Sequence, residues 1–278
     1  MLSKNEIKIL EKEYGFRPQK KLGQNFLIDS NIKRKIVSAA ALKGSDTVLE
    51  IGPGLGELTF DLAAAAKEVI AVEFDKKLFS ILNEQAKDLK NIKVVHSDFL
   101  KYDLREILSP GKKIKVVSNL PYYVSTPIIL KLLDNKDRIE SALVTLQKEV
   151  ADRLTAAPGT KEYGSLTVFT IFHAEIERLF NIKKNSFYPV PRIDSTVIFL
   201  KPRRTPPVKV ADEKLFLGLV KVAFSSRRKT LSNSLASKGF QNLSKTAIQA
   251  VLQRAGISEN ARAEELSLAD FARIANLI

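Results

Sequence analysis

The sequence predicts an α/β fold built on a parallel, doubly wound sheet and followed by a small all-helical domain. Three observations carry this. From Lys43 onward short β-branched runs alternate with longer helical patterns, the rhythm of strands joined by crossover helices. A proline-broken basic stretch, KPRRTPPVKV, interrupts that rhythm after Leu200. Beyond Asp212 the apolar spacing is helical to the end of the chain.

The strand candidates are residues 47–51, 69–73, 92–96, 114–118 and 142–146. Between them, 57–66 and 76–87 carry Leu58, Leu62, Leu78, Ile81 and Leu82 at helical spacing, which suits helices packed on the sheet. Residues 166–172 and 196–200 read as two later, antiparallel strands. Pro202, Pro206 and Pro207 forbid a continuous helix and mark the linker. In the tail Phe216, Leu219 and Val220 repeat at helical spacing, and Ser244 and Ser267 stand where they can cap further helices.

A chain of 278 residues allows a large and a small domain, here 1–203 and 204–278. Its 45 Lys and Arg against 31 Asp and Glu give a net charge of +14, which favours a polyanionic partner and, without a basic amphipathic helix, points to nucleic acid over a membrane. The absence of cysteine excludes disulfides, thiolate metal sites and cysteine nucleophiles. His96 and His173 are the only histidines and receive no role, so neither a zinc site nor a Ser-His-Asp triad is expected. The charged start lacks a signal-peptide core, and no run of about 18 apolar residues occurs. A cytoplasmic protein is expected, and nothing demands more than a monomer.

The segment Glu50-Ile51-Gly52-Pro53-Gly54-Leu55-Gly56 follows a strand and precedes a helix, the setting of a nucleotide-cofactor loop. Glycines there can also serve the turn alone. Glu73 ends the next strand about twenty residues on, where a carboxylate can accept from ribose hydroxyls. Glu57 stands where a dinucleotide fingerprint wants its third glycine. A negative charge suits the sulfonium of S-adenosylmethionine better than a pyrophosphate. Asp98, after the third strand, is then a candidate acceptor for the cofactor's adenine amine.

The most specific signal is Asn119-Leu120-Pro121-Tyr122, which follows the fourth strand and so lies beside the glycine loop. An adenine amine is a poor nucleophile because its lone pair is delocalised into the ring. The Asn119 side-chain oxygen and the Leu120 carbonyl can accept its hydrogens and draw the nitrogen toward tetrahedral geometry. Pro121 fixes the turn, and Tyr122 can stack on the base, worth about 1–3 kcal/mol. No strong general base is required.

Together these motifs resemble the small-subunit (16S) rRNA adenine N6-dimethyltransferase family. Lys21-Leu22-Gly23-Gln24-Asn25-Phe26-Leu27, Gln147-Lys148-Glu149-Val150, Tyr163-Gly164-Ser165-Leu166 and Phe187-Tyr188-Pro189-Val190-Pro191-Arg192-Ile193-Asp194-Ser195 resemble further family segments. The resemblance implies a seven-stranded, mostly parallel Rossmann-like class I methyltransferase domain with a helical C-terminal RNA-binding domain. It implies that Asn25, Leu27, Gly52, Gly54, Glu73, Asp98 and Asn119 bind S-adenosylmethionine. Asn119, Leu120, Pro121 and Tyr122 would hold the target amine, and Phe187 would stack on the base's other face. The implied substrates are two adjacent adenosines near the 3′ end of 16S rRNA in the small ribosomal subunit. One departure is Tyr123, where many relatives carry Asn.

Between 201 and 230, basic residues including Arg203, Arg204, Arg227, Arg228 and Lys229 face only Asp212 and Glu213, making this stretch the phosphate-binding candidate. Lys33, Arg34 and Lys35 could extend the basic surface. Two alternatives stay open: a 23S rRNA dimethylase conferring macrolide resistance, and a noncatalytic RNA-binding assembly factor.

Overall fold

The computed structural model describes residues 3–107 and 112–278. In chain order its main elements are α1 (Lys4–Glu13), β1 (Phe26–Leu27), α2 (Ser30–Ala39), β2 (Thr47–Ile51), α3 (Thr59–Ala65), β3 (Glu68–Glu73), α4 (Lys76–Gln85), β4 (Ile92–His96), β5 (Ile114–Asn119), α5 (Ser125–Asp134), β6 (Ile139–Gln147), α6 (Lys148–Leu154), α7 (Ser165–His173), β7 (Ala174–Ile182), β8 (Phe187–Tyr188), β9 (Ser195–Pro202), α8 (Glu213–Ala223), α9 (Leu231–Ser237), α10 (Lys245–Arg254) and α11 (Leu268–Ala275). They fall into two compact units, Met1–Ala151 with Ile176–Pro202, and Asp152–Glu175 with Arg203–Ile278. The second unit thus takes in a segment, Asp152–Glu175, that the sequence assigns to the first domain.

In the first unit the described strands form a seven-stranded sheet in the order β4-β3-β2-β5-β6-β9-β7. The ladders among β2 to β6 are parallel and β9 runs antiparallel to β6. Val48, Leu49, Val69, Ala71, Val116 and Val144 are buried along these strands. Leu58, Leu62, Leu78, Ile81 and Leu82 are buried too, as their helical spacing requires. A further cluster joins Ile7 of α1 to Phe16, Phe26, Leu55, Leu78 and Ile81.

The chain winds outward from β2 through β3 to β4, then returns to set β5 on the other side of β2. Registered pairing of β2 with β5 stops at Leu49 and Val116, short of the carboxyl ends. The Ser118 hydroxyl donates to the Ile51 carbonyl at 2.6 Å and spans the opening. A crevice at such a reversal of strand order is where open α/β sheets take ligands.

Two elements depart from the sequence reading. Residues 166–172, expected as a strand, form most of helix α7. Their β-branched and aromatic content favours a strand locally, but Leu166, Thr167, Val168, Thr170, Phe172 and His173 are buried around the helix. Thr170 Oγ1 turns its hydroxyl back to the Leu166 carbonyl at 2.6 Å, and the Phe172 ring stacks on Phe216 at 4.7 Å. Burial here overrides propensity. Strand β7 was not expected: in its sequence, AEIERLFNI, the exposed positions are charged or polar (Glu175, Glu177, Arg178, Asn181), as suits an edge strand. In the second unit Ser244 and Ser267 do cap α10 and α11, accepting from the amides of Ala247 and Asp270.

Candidate active site

A cavity of ≈ 300 Å³ lies in the crevice of the first unit. Gly52 and Gly54 line it at φ of 68° and 63°. A Cβ on Gly54 would meet Glu57 Oε2 at 3.0 Å and the Phe26 ring at 3.2 Å, so only glycine fits this approach. The Gly54 amide donates to Glu73 Oε2 at 3.1 Å and the Asp75 amide to Glu73 Oε1 at 2.8 Å. Each carboxylate oxygen keeps a lone pair for a ligand hydroxyl. Burial pushes the Glu73 carboxyl up to about 7.

Glu50 and Glu57 join Glu73 behind the loop, and burial pushes both up to about 8. Thr59 Oγ1 donates to Glu50 Oε2 at 2.6 Å. Lys33 is the nearby cation: it is 3% exposed, so it does not extend a basic surface as its neighbours suggested. Burial lowers its pKa, while Glu57, Asp61 and Glu6 oppose that shift. Buried carboxyls hold their protons more tightly in the fold than in the unfolded chain, where a Glu titrates near 4.5. Their contribution to stability is therefore largest at low pH and is lost as pH rises toward about 8, by up to about 1.4 kcal/mol per pH unit per group. Glu50→Gln keeps an oxygen for Thr59 and removes one such group. Urea titrations should find the variant more stable than the parent at pH 8, with the gap closing near pH 5; parallel pH profiles would refute this.

Residues 19–25 form a strap along the cavity. Gln19 Nε2 and Gln24 Nε2 donate to Asp75 Oδ2 at 2.8 and 3.2 Å, while Asp75 Oδ1 caps α4 by accepting from the amides of Lys77 and Leu78. The strap presents Asn25 to the cavity. Leu27 does not reach it: with 0% exposure it packs in the core beside Ile36 and Val48.

Asn119 closes β5, and its Nδ2 donates to the Asn25 carbonyl at 3.2 Å. A carbonyl can only accept, so the amide orientation is set and Oδ1 is left buried without a partner. Leu120, Pro121 and Tyr122 line the same cavity. The Tyr122 hydroxyl lies 2.6 Å from Ser195 Oγ, and burial pushes the phenol up to about 12. Ser195, which tethers the Tyr122 ring, is a residue that sequence reasoning did not single out, although it ends the quoted Phe187-to-Ser195 segment. Ser195→Ala should lower kcat about fivefold to tenfold by freeing the ring, the worth of roughly 1 kcal/mol. Calorimetry with S-adenosylhomocysteine should find cofactor affinity unchanged; an unchanged kcat would deny Ser195 this part.

Asp98 lines the cavity as well, its Oδ1 accepting from the Leu100 amide at 2.9 Å. Phe74, Leu100 and Tyr123, each with a large exposed apolar surface, stand around it. Phe187 does not: it is 1% exposed in the core cluster that holds Leu27, because antiparallel pairing of β8 with β1 sets it opposite Leu27. In this structure it offers no face to a base. In the second unit Arg203 is engaged by Glu175 at 3.1 Å, whereas Arg204, Arg227, Arg228 and Lys229 are exposed.

The geometry therefore gathers Asn25, Gly52, Gly54, Glu73, Asp98, Asn119, Leu120, Pro121 and Tyr122 around one cavity. The sequence matches the profile described as ribosomal RNA adenine dimethylase across residues 15–278. It is 46% identical to the ribosomal RNA small subunit methyltransferase A of Listeria innocua, over 96% of this chain and 92% of that protein. The protein of the same name from Clostridioides difficile is 42% identical, over 99% and 96%. A crystal structure of a dimethyladenosine transferase from Plasmodium falciparum superposes with a TM-score of 0.74 at 26% identity, covering 90% of this chain and 95% of that one. The 23S rRNA methyltransferase ErmE superposes with a TM-score of 0.68 at 29% identity, covering 91% and 99%. With a buried acceptor in an Asn-Leu-Pro-Tyr turn beside a glycine loop, and a profile match over nearly its whole length, the chain belongs to the ribosomal RNA adenine dimethylase family.

Proposed function

We propose that this protein uses S-adenosylmethionine to dimethylate the N6 amines of two adjacent adenosines near the 3′ end of 16S rRNA, acting on the small ribosomal subunit during its assembly. The observation that carries this reading is the buried, unpartnered Oδ1 of Asn119, an acceptor facing no protein donor at the cavity where the glycine loop and Tyr122 meet. The residues present suit the cofactor. Glu73 has acceptor capacity left for a ribose, Asp98 has a free Oδ2 for an adenine amine, and the glycine loop leaves room for close backbone approach.

S-adenosylmethionine supplies a methyl group on a sulfonium, an electrophile that needs no further activation. Asn119 Oδ1 and the Leu120 carbonyl take the hydrogens of the target amine and pull its lone pair out of conjugation with the ring. Tyr122, tethered to Ser195, provides the stacking face. Its pKa near 12 keeps the phenol protonated, so the released proton goes to solvent and not to this oxygen.

In the same reading Arg204, Arg227, Arg228 and Lys229 bind RNA phosphates. Affinity for small subunits should then fall steeply with salt, log K declining by about 0.7–0.9 per phosphate contact for each unit of log salt. A flat response would remove them from the interface. In the same reading the protein works in the cytoplasm, where its substrate is, and as a monomer, which sedimentation of the purified chain checks.

The direct test is transfer of tritiated methyl groups to small and large subunits purified from a strain lacking the modification, followed by digestion to nucleosides. Dimethyladenosine from small subunits alone is expected. Label in large subunits would point to the 23S dimethylase instead, and no label in either would leave an assembly factor.

A further inference from the structure

Helix α5 begins three residues after Tyr122 and carries Lys131 two turns on. The Lys131 ammonium donates to three backbone carbonyls of one short loop: Phe99 at 2.6 Å, Leu100 at 2.9 Å and Tyr102 at 2.5 Å. It also stands 5.1 Å from the centre of the Phe99 ring. An ammonium has three N–H donors and no acceptor, so this set saturates it. The loop's donors go elsewhere. The Leu100 amide binds Asp98 Oδ1, and the amides of Lys101 and Tyr102 bind the Asp98 carbonyl.

The loop is therefore organised around two hubs: Asp98 collects its N–H groups and Lys131 its C=O groups. Without the ammonium, three carbonyl dipoles would converge with no donor between them, their negative ends repelling one another. The carboxylates of Asp98 and Asp103 act on the same ammonium and favour its charged form against the burial that lowers its pKa. Phe99, Leu100 and Asp98 all line the cavity.

We propose that Lys131 is a positioning residue of the cofactor site, holding the 98–102 loop so that Asp98 meets the adenine amine of S-adenosylmethionine. This rests on the assignment of Asp98 made above. It adds that one rigid helix, α5, links the adenine end of the site to the turn that binds the target amine. Specificity for adenine is thus set by a lysine that need not touch the cofactor.

The test compares S-adenosylhomocysteine with S-inosylhomocysteine, which carries an oxygen where adenine has its amine, by calorimetry on the full chain. The parent protein should prefer the adenosyl ligand about tenfold, the worth of one hydrogen bond to a charged group. Lys131→Met, similar in length but without donors, should bind the adenosyl ligand about tenfold more weakly and lose the preference. Lys131→Gln, with a shorter amide, should fall between. A general loss of fold would weaken both ligands alike and leave their ratio intact. Hydrogen exchange gives a second reading: the amides of Leu100, Lys101 and Tyr102 should exchange faster in the Met variant while those of β3 and β5 do not change. A parental ligand ratio in Lys131→Met would overturn the proposal. If the parent itself shows no preference, the assignment of Asp98 fails. Lys131 is then judged on exchange, where an unchanged loop refutes it and a loosened loop sustains its hold.

Discussion

Asn119→Ala lowers single-turnover methyl transfer to small subunits by about 10²–10³-fold, the usual cost of removing one donor or acceptor aimed at a reacting group. The substitution deletes the unpartnered Oδ1 and also the Nδ2 contact to the Asn25 carbonyl. Cofactor affinity should change far less, because Glu73, the glycine loop and Asp98 remain. Asn119→Asp tests the orientation argument. It keeps an oxygen at the Oδ1 position but turns a second oxygen on the Asn25 carbonyl, so the pair repel and the strap shifts. Activity should fall comparably, and here cofactor affinity should fall as well. Rapid-quench kinetics with saturating cofactor, alongside calorimetry, separates the two effects. A rate for Asn119→Ala within tenfold of the parent would mean that this oxygen does not hold the amine.

Gly56→Ala destabilises the fold by about 2–5 kcal/mol, combining overpacking of roughly 1–3 kcal/mol with about 1–2 kcal/mol for a side chain in the left-handed region. Gly56 sits at φ 86°, and a Cβ there would lie 2.6 Å from Phe60 and 2.8 Å from Leu82. The loop has little freedom to move away. The Gly52 amide donates to the Val72 carbonyl at 2.8 Å and the Gly54 amide to Glu73. Any relief by backbone movement therefore disturbs Glu73, and affinity for S-adenosylhomocysteine should drop with stability. Gly159 makes a clean control: its φ is 83°, but nothing lies within 4 Å of a Cβ built there. Gly159→Ala should show only the conformational part, about 1–2 kcal/mol. Equal urea midpoints for the two alanine variants would mean that the contacts around Gly56 yield freely.

The parallel strands were legible because they are covered on both faces, so most residues of β2, β3, β5 and β6 are buried and their Val, Ile, Leu and Ala runs stand out. The glycine loop and the Asn-Leu-Pro-Tyr turn were legible because their chemistry is local, packed into a few consecutive residues at strand ends. What was hidden depends on partners far away in the chain. Phe187 and Leu27 look like ligand residues in a motif, but their ladder pairs them inward. Asp75 gains its meaning from Gln19 and Gln24, more than fifty residues earlier. Lys33 stands in a basic triplet yet turns toward buried carboxyls. Helix α7 has the composition of a strand, and only a surrounding core makes a helix of it.

The bond between Tyr122 and Ser195 has a consequence for how the protein matures. Every residue lining the cavity lies at or before Ile128, in the first half of the chain. The hydroxyl that meets the Tyr122 phenol comes from β9, which enters the sheet beside β6 only after the segment Asp152–Glu175 has been made and diverted into the other unit. During synthesis the pocket's residues emerge long before the tether does. The Asn-Leu-Pro-Tyr turn is thus completed late, when the sheet closes on its antiparallel strand, and a nascent chain acquires the residues that line the cavity well before it acquires the hydroxyl that holds the Tyr122 ring.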